Sequence, residues 1–329
     1  MRSKLKENKF FSSHEFYMSI ALILLAVFFG IRTGGLFLTG SNLLNMVISY
    51  SYLGIMAMGM LVVIISGGID ISFMVTATIS QYIMAKFMLE FAGANLLSAV
   101  AISVVTGIAL GLINAVLVHY LKAPTLIITI ATMSIYFGLL MYLTNGVRLF
   151  SFPAWFSEKN DSKTIGIALG FFAAAVVITF VIMKFTKMGR KIYAIGGNID
   201  SAKRVGINIL LVHLFVYGYV GAMAALGGVV HLYLVQQAAP NALYGGEMDV
   251  IAMAVLGGVN LAGGKGSVGG TIIGMLLVAT LSNGLLLIGV SSYWQDFFIG
   301  AVILISFCFS GWRNIKNKEK ESKGGKLDD

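Results

Sequence analysis

Long uninterrupted apolar runs dominate the chain, and short polar stretches separate them. A helix needs about 20 apolar residues to cross a bilayer, with a range of about 17–25. On that rule the pattern predicts ten transmembrane helices, at residues 16–31, 43–65, 73–91, 96–120, 125–143, 165–185, 209–235, 248–262, 268–290 and 293–311. The first is short, and the eighth is short and rich in glycine. Strands of a membrane barrel alternate in blocks of about 10 residues. The runs here are continuous and twice that long, which excludes a barrel. The expected fold is all-α: a polytopic helical membrane protein with broken, glycine-rich segments.

Composition agrees. Of 329 residues, 58% are apolar and 11% are charged, against roughly 25% charged in a soluble domain. A soluble enzyme cannot cover its surface with so few polar side chains, and a disordered chain is poor in apolar ones. The net charge of +9 is unevenly placed. With the N-terminus inside, 18 of the 23 Lys and Arg fall on the cytoplasmic side. Only Arg32, Lys86, Arg148, Lys159 and Lys163 fall outside. That is the positive-inside signature, and it predicts that both termini are cytoplasmic. It also removes the reason to expect nucleic-acid binding. The chain then divides into a basic N-terminus (residues 1–15), a transmembrane domain (16–311) and a charged tail (312–329). No small-residue cleavage site follows Ile31, so the first span reads as an uncleaved helix rather than a signal peptide.

The single cysteine, Cys308, excludes an intrachain disulfide or a cysteine cluster and reads as a small buried residue. His119, His213 and His231 lie near span ends without ligand spacing, so no metal site is expected. No Ser/His/Asp or paired-carboxylate constellation occurs in the spans, which argues against an enzyme.

Four segments break the apolar pattern. In residues 66–72, Gly67 and Gly68 end a helix and Asp70 stands between two spans with no basic neighbour. Asp70 reads as a cap for the helix beginning near Ser72, as part of a broken helix lining a transport path, or as both. The loop at residues 187–208 is the longest and most basic of the cytoplasmic loops. Within it Asn198 caps a short helix, Asp200 complements its dipole, Ala202, Lys203 and Arg204 continue it, and Gly206 stops it. A short helix outside the bilayer suits docking of a cytoplasmic partner.

Residues 257–266 hold five glycines around Asn260 and Lys265. Gly266 stands where a phosphate loop needs Ser or Thr, so ATP binding by this chain is not expected. The outer loop at residues 236–247, with Tyr244 and Glu247, reads either as a connector or, with Arg148, Lys159 and Lys163, as a surface for an extracytoplasmic partner. Residues 67–71 also resemble residues 257–261, which hints at repeated halves. Asn114 and Asn283 sit inside spans, as helix–helix glue or as part of a polar path, with glue favoured.

Taken together these segments resemble the permease subunit of ribose-type ABC sugar importers. The resemblance rests on VIISGGIDIS (63–72), KAPTLIITIATMSIYFGL (122–139), GRKIYAIGGNIDSAKRVGI (189–207), IAMAVLGGVNLAGGKGSVGGTIIG (251–274) and NGLLLIGVSSYWQ (283–295). It covers residues 42–309. Met74 and Val75 depart from the Gly-Ser pair usual after the first motif, and Ala131 replaces a common Gly.

The resemblance implies a bacterial cytoplasmic-membrane subunit that pairs with a second permease subunit around one path. A separate subunit would bind ATP, and an extracytoplasmic binding protein would deliver a ribose-like pentose, a hexose or a sugar-like autoinducer. It implies coupling to the ATPase through Gly189, Arg190, Gly196, Gly197, Asn198, Asp200, Ala202, Lys203, Arg204 and Gly206. Path candidates are Gly67, Gly68, Asp70, Ser72, Asn114, Gly257, Gly258, Asn260 and Asn283. The chain itself would carry no cofactor. Nucleosides or branched-chain amino acids are alternative cargoes, and an ion-coupled transporter is the rival class.

Overall fold

The computed structural model describes residues 14–291 and, beyond them, 294, 295, 297–301 and 304. The tenth predicted span, Cys308, the tail and most of the basic N-terminus therefore lie outside or largely outside the described residues. Helices dominate: α1 (His14–Arg32), α2 (Gly40–Ile65), α3 (Phe73–Glu90), α4 (Leu96–Leu121), α5 (Thr125–Thr144), the single turn α6 (Ala154–Ser157), α7 (Asp161–Phe185), α8 (Lys187–Gly197), α9 (Ile199–Arg204), α10 (Ile209–Val235), α11 (Glu247–Leu256) and α12 (Val268–Leu287). Among the described residues there is no strand. One isolated bridge, Leu149 to Ala238, ties two connecting segments together.

Seven of these helices, α1, α2, α4, α5, α7, α10 and α12, are long and apolar enough to cross a membrane. The protein is thus a polytopic helical membrane protein. The eighth predicted span is corrected. Residues 248–262 are not one helix, because α11 stops at Leu256 after 10 residues. At about 1.5 Å per residue it covers about 15 Å, half a bilayer core. Its apolar composition reports membrane depth, not length.

The helices sort by what surrounds them. From Ile55 to Ile65, α2 is apolar on every side and buried, and α10 packs beside it. A helix apolar all round belongs in a core. The outer helices α1, α4, α5 and α7 expose Ile23, Leu97, Leu139 and Val177 instead, as lipid-facing helices do. Helices α4 and α10 touch through backbone. A Cβ added at Gly107 or Gly111 would strike the carbonyls of Gly221 and Tyr217. Small residues at four-residue spacing permit such close approach where no hydrophobic effect drives helices together.

The segment at residues 187–208 differs from the expected loop, because Lys187–Gly197 is helical. Its apolar face, Gly189, Ile192 and Ile195, is buried while Lys187 and Arg190 are exposed. The charges had masked that periodicity.

Candidate functional site: a glycine junction joining the α8–α9 pair to two broken helices

The end of α2 follows from its sequence. Gly67 takes a left-handed φ of 86°. Its amide donates to Ile64 O (2.9 Å) and the Gly68 amide to Val63 O (3.1 Å), the paired bonds of a Schellman cap. Helix α11 ends in the same way. Gly258 has φ 88°, its amide donates to Val255 O (2.8 Å), and the Val259 amide donates to Ala254 O (3.2 Å). After each cap the side chain of Asp70 or Asn260 accepts from the amide two residues on, Ser72 N at 2.8 Å and Ala262 N at 3.2 Å. The two stretches that look alike in sequence are therefore alike in geometry.

These two breaks meet each other and α8. The Gly264 amide donates to Ile65 O across 2.8 Å. Gly196, in the last turn of α8, lies against the same carbonyl, and an added Cβ there would collide with it. A Cβ on Gly263 would come within 3.0 Å of both Gly67 Cα and Gly196 Cα. Tyr193 of α8 donates its hydroxyl to Gly266 O at 2.8 Å, and burial raises its pKa, which keeps the donor protonated. Only backbone atoms fit at the centre, so α8 cannot shift without displacing both breaks.

From the junction a polar chain runs into the bundle. Asp70 is buried, and its Oδ1 accepts from the Ser72 hydroxyl (2.7 Å). The Ser72 hydroxyl accepts from Asn114 Nδ2 (2.7 Å), and Asn114 Oδ1 accepts from the Tyr136 hydroxyl (3.3 Å). The Ile69 and Ile71 amides donate to Thr125 Oγ1 (3.0 Å) and Thr129 Oγ1 (3.2 Å) of α5. Beside this chain a cavity of about 400 Å³ is lined by Gly67, Gly68, Lys122, Lys203, His213 and Tyr217, among others.

Most of the anticipated residues fall into three groups, at the junction, in the polar network and on α9. Gly67, Gly196 and Gly197 meet at the junction, where a Cβ on Gly264 would lie 3.0 Å from Gly197. Asp70, Ser72 and Asn114 form one network. Asn198 caps α9 by accepting from Ser201 N at 2.8 Å. Gly206, at φ 82°, stops it, Ala202 is buried beneath it, and Asp200, Lys203 and Arg204 stay exposed. Gly189 is pressed into the end of α7, and Gly257 packs on Gly270 of α12. Asn283 pairs with Asn42, each amide donating to the other (2.9 and 3.3 Å).

The outer docking set is corrected in part. Glu247 is buried at the start of α11 and accepts from the Gly245 amide (3.2 Å). Tyr244 stacks on Phe137, midway along α5, with centroids 4.2 Å apart. Glu247 is therefore withdrawn from the surface, whereas Tyr244 stays exposed. Lys159 and Lys163 are tied to backbone carbonyls, Leu234 O at 2.7 Å and Trp155 O at 2.7 Å. Partial burial lowers the Lys159 pKa. Arg148 is exposed.

Gly264 belongs to the glycine-rich stretch noted in the sequence, whereas Ile65, Tyr193, Thr125, Thr129 and Tyr136 were not singled out there. Only Thr125 and Thr129, four apart on one helix face, carried a readable signal. Among the described residues no group of three or more His, Cys, Asp or Glu is placed to hold a metal.

Residues 42–307 match the family model described as "Branched-chain amino acid transport system / permease component". The chain belongs to this permease family. It is 35% identical to the ribose import permease protein RbsC of Escherichia coli strain K12, over 82% of this chain and 85% of that protein. The xylose transport system permease protein XylH of Haemophilus influenzae is 28% identical, over 93% and 97%. The autoinducer 2 import system permease protein LsrC of Salmonella typhi is 31% identical, over 89% and 84%. No solved structure matches the chain significantly. The chain is therefore a transport component rather than an enzyme.

Proposed function

We propose that this chain is the membrane-spanning permease of an ATP-driven importer for a small sugar, working in a bacterial cytoplasmic membrane. The similarity to ribose, xylose and autoinducer-2 permeases over four-fifths or more of the chain carries this reading. The cargo belongs to the class those relatives' names describe. ATP is held by a separate cytoplasmic subunit docked on α8 and α9. A soluble binding protein delivers the sugar at the opposite face, and a second permease subunit completes the path. Both termini of this chain face the cytoplasm.

The chain's own part is alternating access, a shift between two packings biased by its partners. Helices α8 and α9 present Arg190, Lys203 and Arg204 to the docking subunit. The junction supports coupling, since a push on α8 bears directly on the ends of α2 and of the Gly263–Gly264 break.

The test is co-purification followed by transport. The tagged chain, isolated in mild detergent, carries a stoichiometric ATPase. Proteoliposomes of the complex with its binding protein accumulate ribose or xylose only with ATP inside the ATPase compartment. Sugar uptake that persists without ATP sinks the reading.

A further inference from the structure

At the end of the bundle away from the junction, a cleft of about 170 Å³ opens between the first half of α2 and the last half of α12. Its polar walls are Asn45, Ser49, Tyr50, Ser282, Asn283 and Gln295. We propose that this cleft is a sugar-binding vestibule of the transport path, in which these neutral amides and hydroxyls hold one monosaccharide before it passes inward. The inference rests on the permease reading above and adds to it the site and the chemical class it accepts.

Depth is the first argument. Asn45 and Ser49 are four residues apart, so they share one face of α2, and both are exposed. Ser49 lies nine residues into α2, about 14 Å along its axis at ~1.5 Å per residue. An amide and a hydroxyl left in hydrocarbon at that depth lose their hydrogen bonds to water. Polar groups exposed within spans therefore line water-filled cavities or meet other polar groups. The cleft has room for roughly six waters at ~30 Å³ each, which is also the space of one small sugar.

Chemistry is the second argument. Among the described residues, no Lys, Arg, Asp, Glu or His lines the cleft. Amides and hydroxyls both donate and accept, as sugar hydroxyls do, and the Tyr50 ring offers an apolar face. The Asp249 carboxylate lies within electrostatic reach of Tyr50, but among the described residues no cation lines the cleft. The carboxylate of a zwitterionic amino acid would therefore enter without a counter-charge and beside a like charge, a costly burial. The lining thus selects a neutral polyol over the amino acids named in the family description. The wall is also held in place, because the Asn42–Asn283 amide pair fastens the start of α2 to α12.

Position is the third argument. Helix α2 starts beside the cleft and ends at the junction, while α12 starts near the junction and ends beside the cleft. The vestibule therefore lies at the end opposite the ATPase docking face, where a binding protein releases its cargo.

The experiment uses the whole complex in proteoliposomes with its binding protein, measuring ATP-driven ribose and xylose uptake with leucine as competitor. Asn45→Leu and Ser49→Val are each expected to raise the sugar KM about fivefold, the scale of one lost hydrogen bond, while Ser49→Thr restores it. Leucine does not compete. A second readout does not depend on turnover. In a Cys308→Ser background, Ser49→Cys reacts with a water-soluble thiol reagent, and ribose slows the reaction. Wild-type uptake with unchanged KM in both variants, or a position-49 thiol that is inaccessible or unprotected by sugar, overturns the vestibule while leaving the permease reading intact. A wild-type complex that moves no sugar with ATP overturns both.

Discussion

The Gly264 amide donates a 2.8 Å hydrogen bond to the Ile65 carbonyl, joining two helix breaks nearly 200 residues apart in sequence. That carbonyl belongs to the last turn of α2, and Gly196 of α8 lies against it. A docking helix, a buried central helix and a glycine-rich return thus share one backbone atom as a pivot. The arrangement predicts where small steric changes will act on coupling rather than on insertion into the membrane.

Gly196→Ala is the sharpest case. Its Cβ would overlap the Ile65 carbonyl, and the obstacle is backbone, not a side chain that can swing away. We expect the variant to reach the membrane yet lose about tenfold or more of ATP-driven uptake, the effect of only ~1.4 kcal/mol of misfit in the coupled state. Gly166→Ala, on the open side of α7 with nothing within 4 Å of the new methyl, should transport normally. Uptake per ATP hydrolysed, measured for both in proteoliposomes, decides the matter. Equal ratios would remove the pivot from the mechanism.

The network behind the pivot predicts a stability effect. Asn114→Leu leaves the Ser72 hydroxyl without its donor and the Tyr136 hydroxyl without its side-chain acceptor in a buried site. Each hydroxyl keeps one partner, Asp70 Oδ1 for Ser72 and Leu110 O for Tyr136, so each lost hydrogen bond costs about 0.5–1.5 kcal/mol. Asp70→Asn keeps an acceptor for the Ser72 amide and hydroxyl and should cost less than Asp70→Ala. Thermal unfolding of the purified chain in detergent, followed by size-exclusion recovery, should rank wild type first, Asp70→Asn next and Asp70→Ala last. Asn114→Leu should also fall below wild type.

What the sequence disclosed and what it hid divide along a physical line. A run of apolar residues near the length of a bilayer crossing is a one-dimensional signal, so α2, α4, α5, α7, α10 and α12 were legible to within a few residues. Capping is equally local, so Asn198 and Gly206 could be assigned to the two ends of α9 directly. Length failed at α11, because apolar residues continue past Gly257 although the helix does not. Charge hid α8, whose Lys187, Arg190 and Lys191 gave it the look of a loop. The burial of Glu247 was hidden because no local pattern reports that the chain turns inward at the start of α11 just after the exposed Tyr244. The meeting of Ile65, Gly196 and Gly264 is a relation among three distant segments, and no periodicity within any one of them encodes it.

The α4–α10 crossing predicts a different failure. Gly111 has the Tyr217 carbonyl where a Cβ would be, and Gly107 has that of Gly221. Gly111→Leu would force apart two helices whose contact is backbone on backbone, with no water-driven gain to offset the lost packing. We expect aggregated or degraded protein, seen as loss of the monodisperse peak in detergent. Gly138→Ala, with open space around it, is the matched control and should elute normally.

The docking face predicts loss of assembly without loss of fold. Lys203 and Arg204 close the last turn of α9 and are exposed, while Ala202 beneath them is buried. Reversing both, Lys203→Glu with Arg204→Glu, removes the cations that complement the helix C-terminus. That costs the short helix about 0.3–1 kcal/mol per site, too little to unfold a bundle anchored by α2 and α10. The ATP-binding subunit should nonetheless fail to co-purify, because the surface offered to it changes sign. The conservative pair Lys203→Arg and Arg204→Lys should retain it. Raising salt from 0.1 M to 1 M shortens the screening length from about 10 Å to about 3 Å, so it should weaken the wild-type complex in the same direction. Stoichiometric ATPase recovered with the charge-reversed chain would show that docking uses another surface.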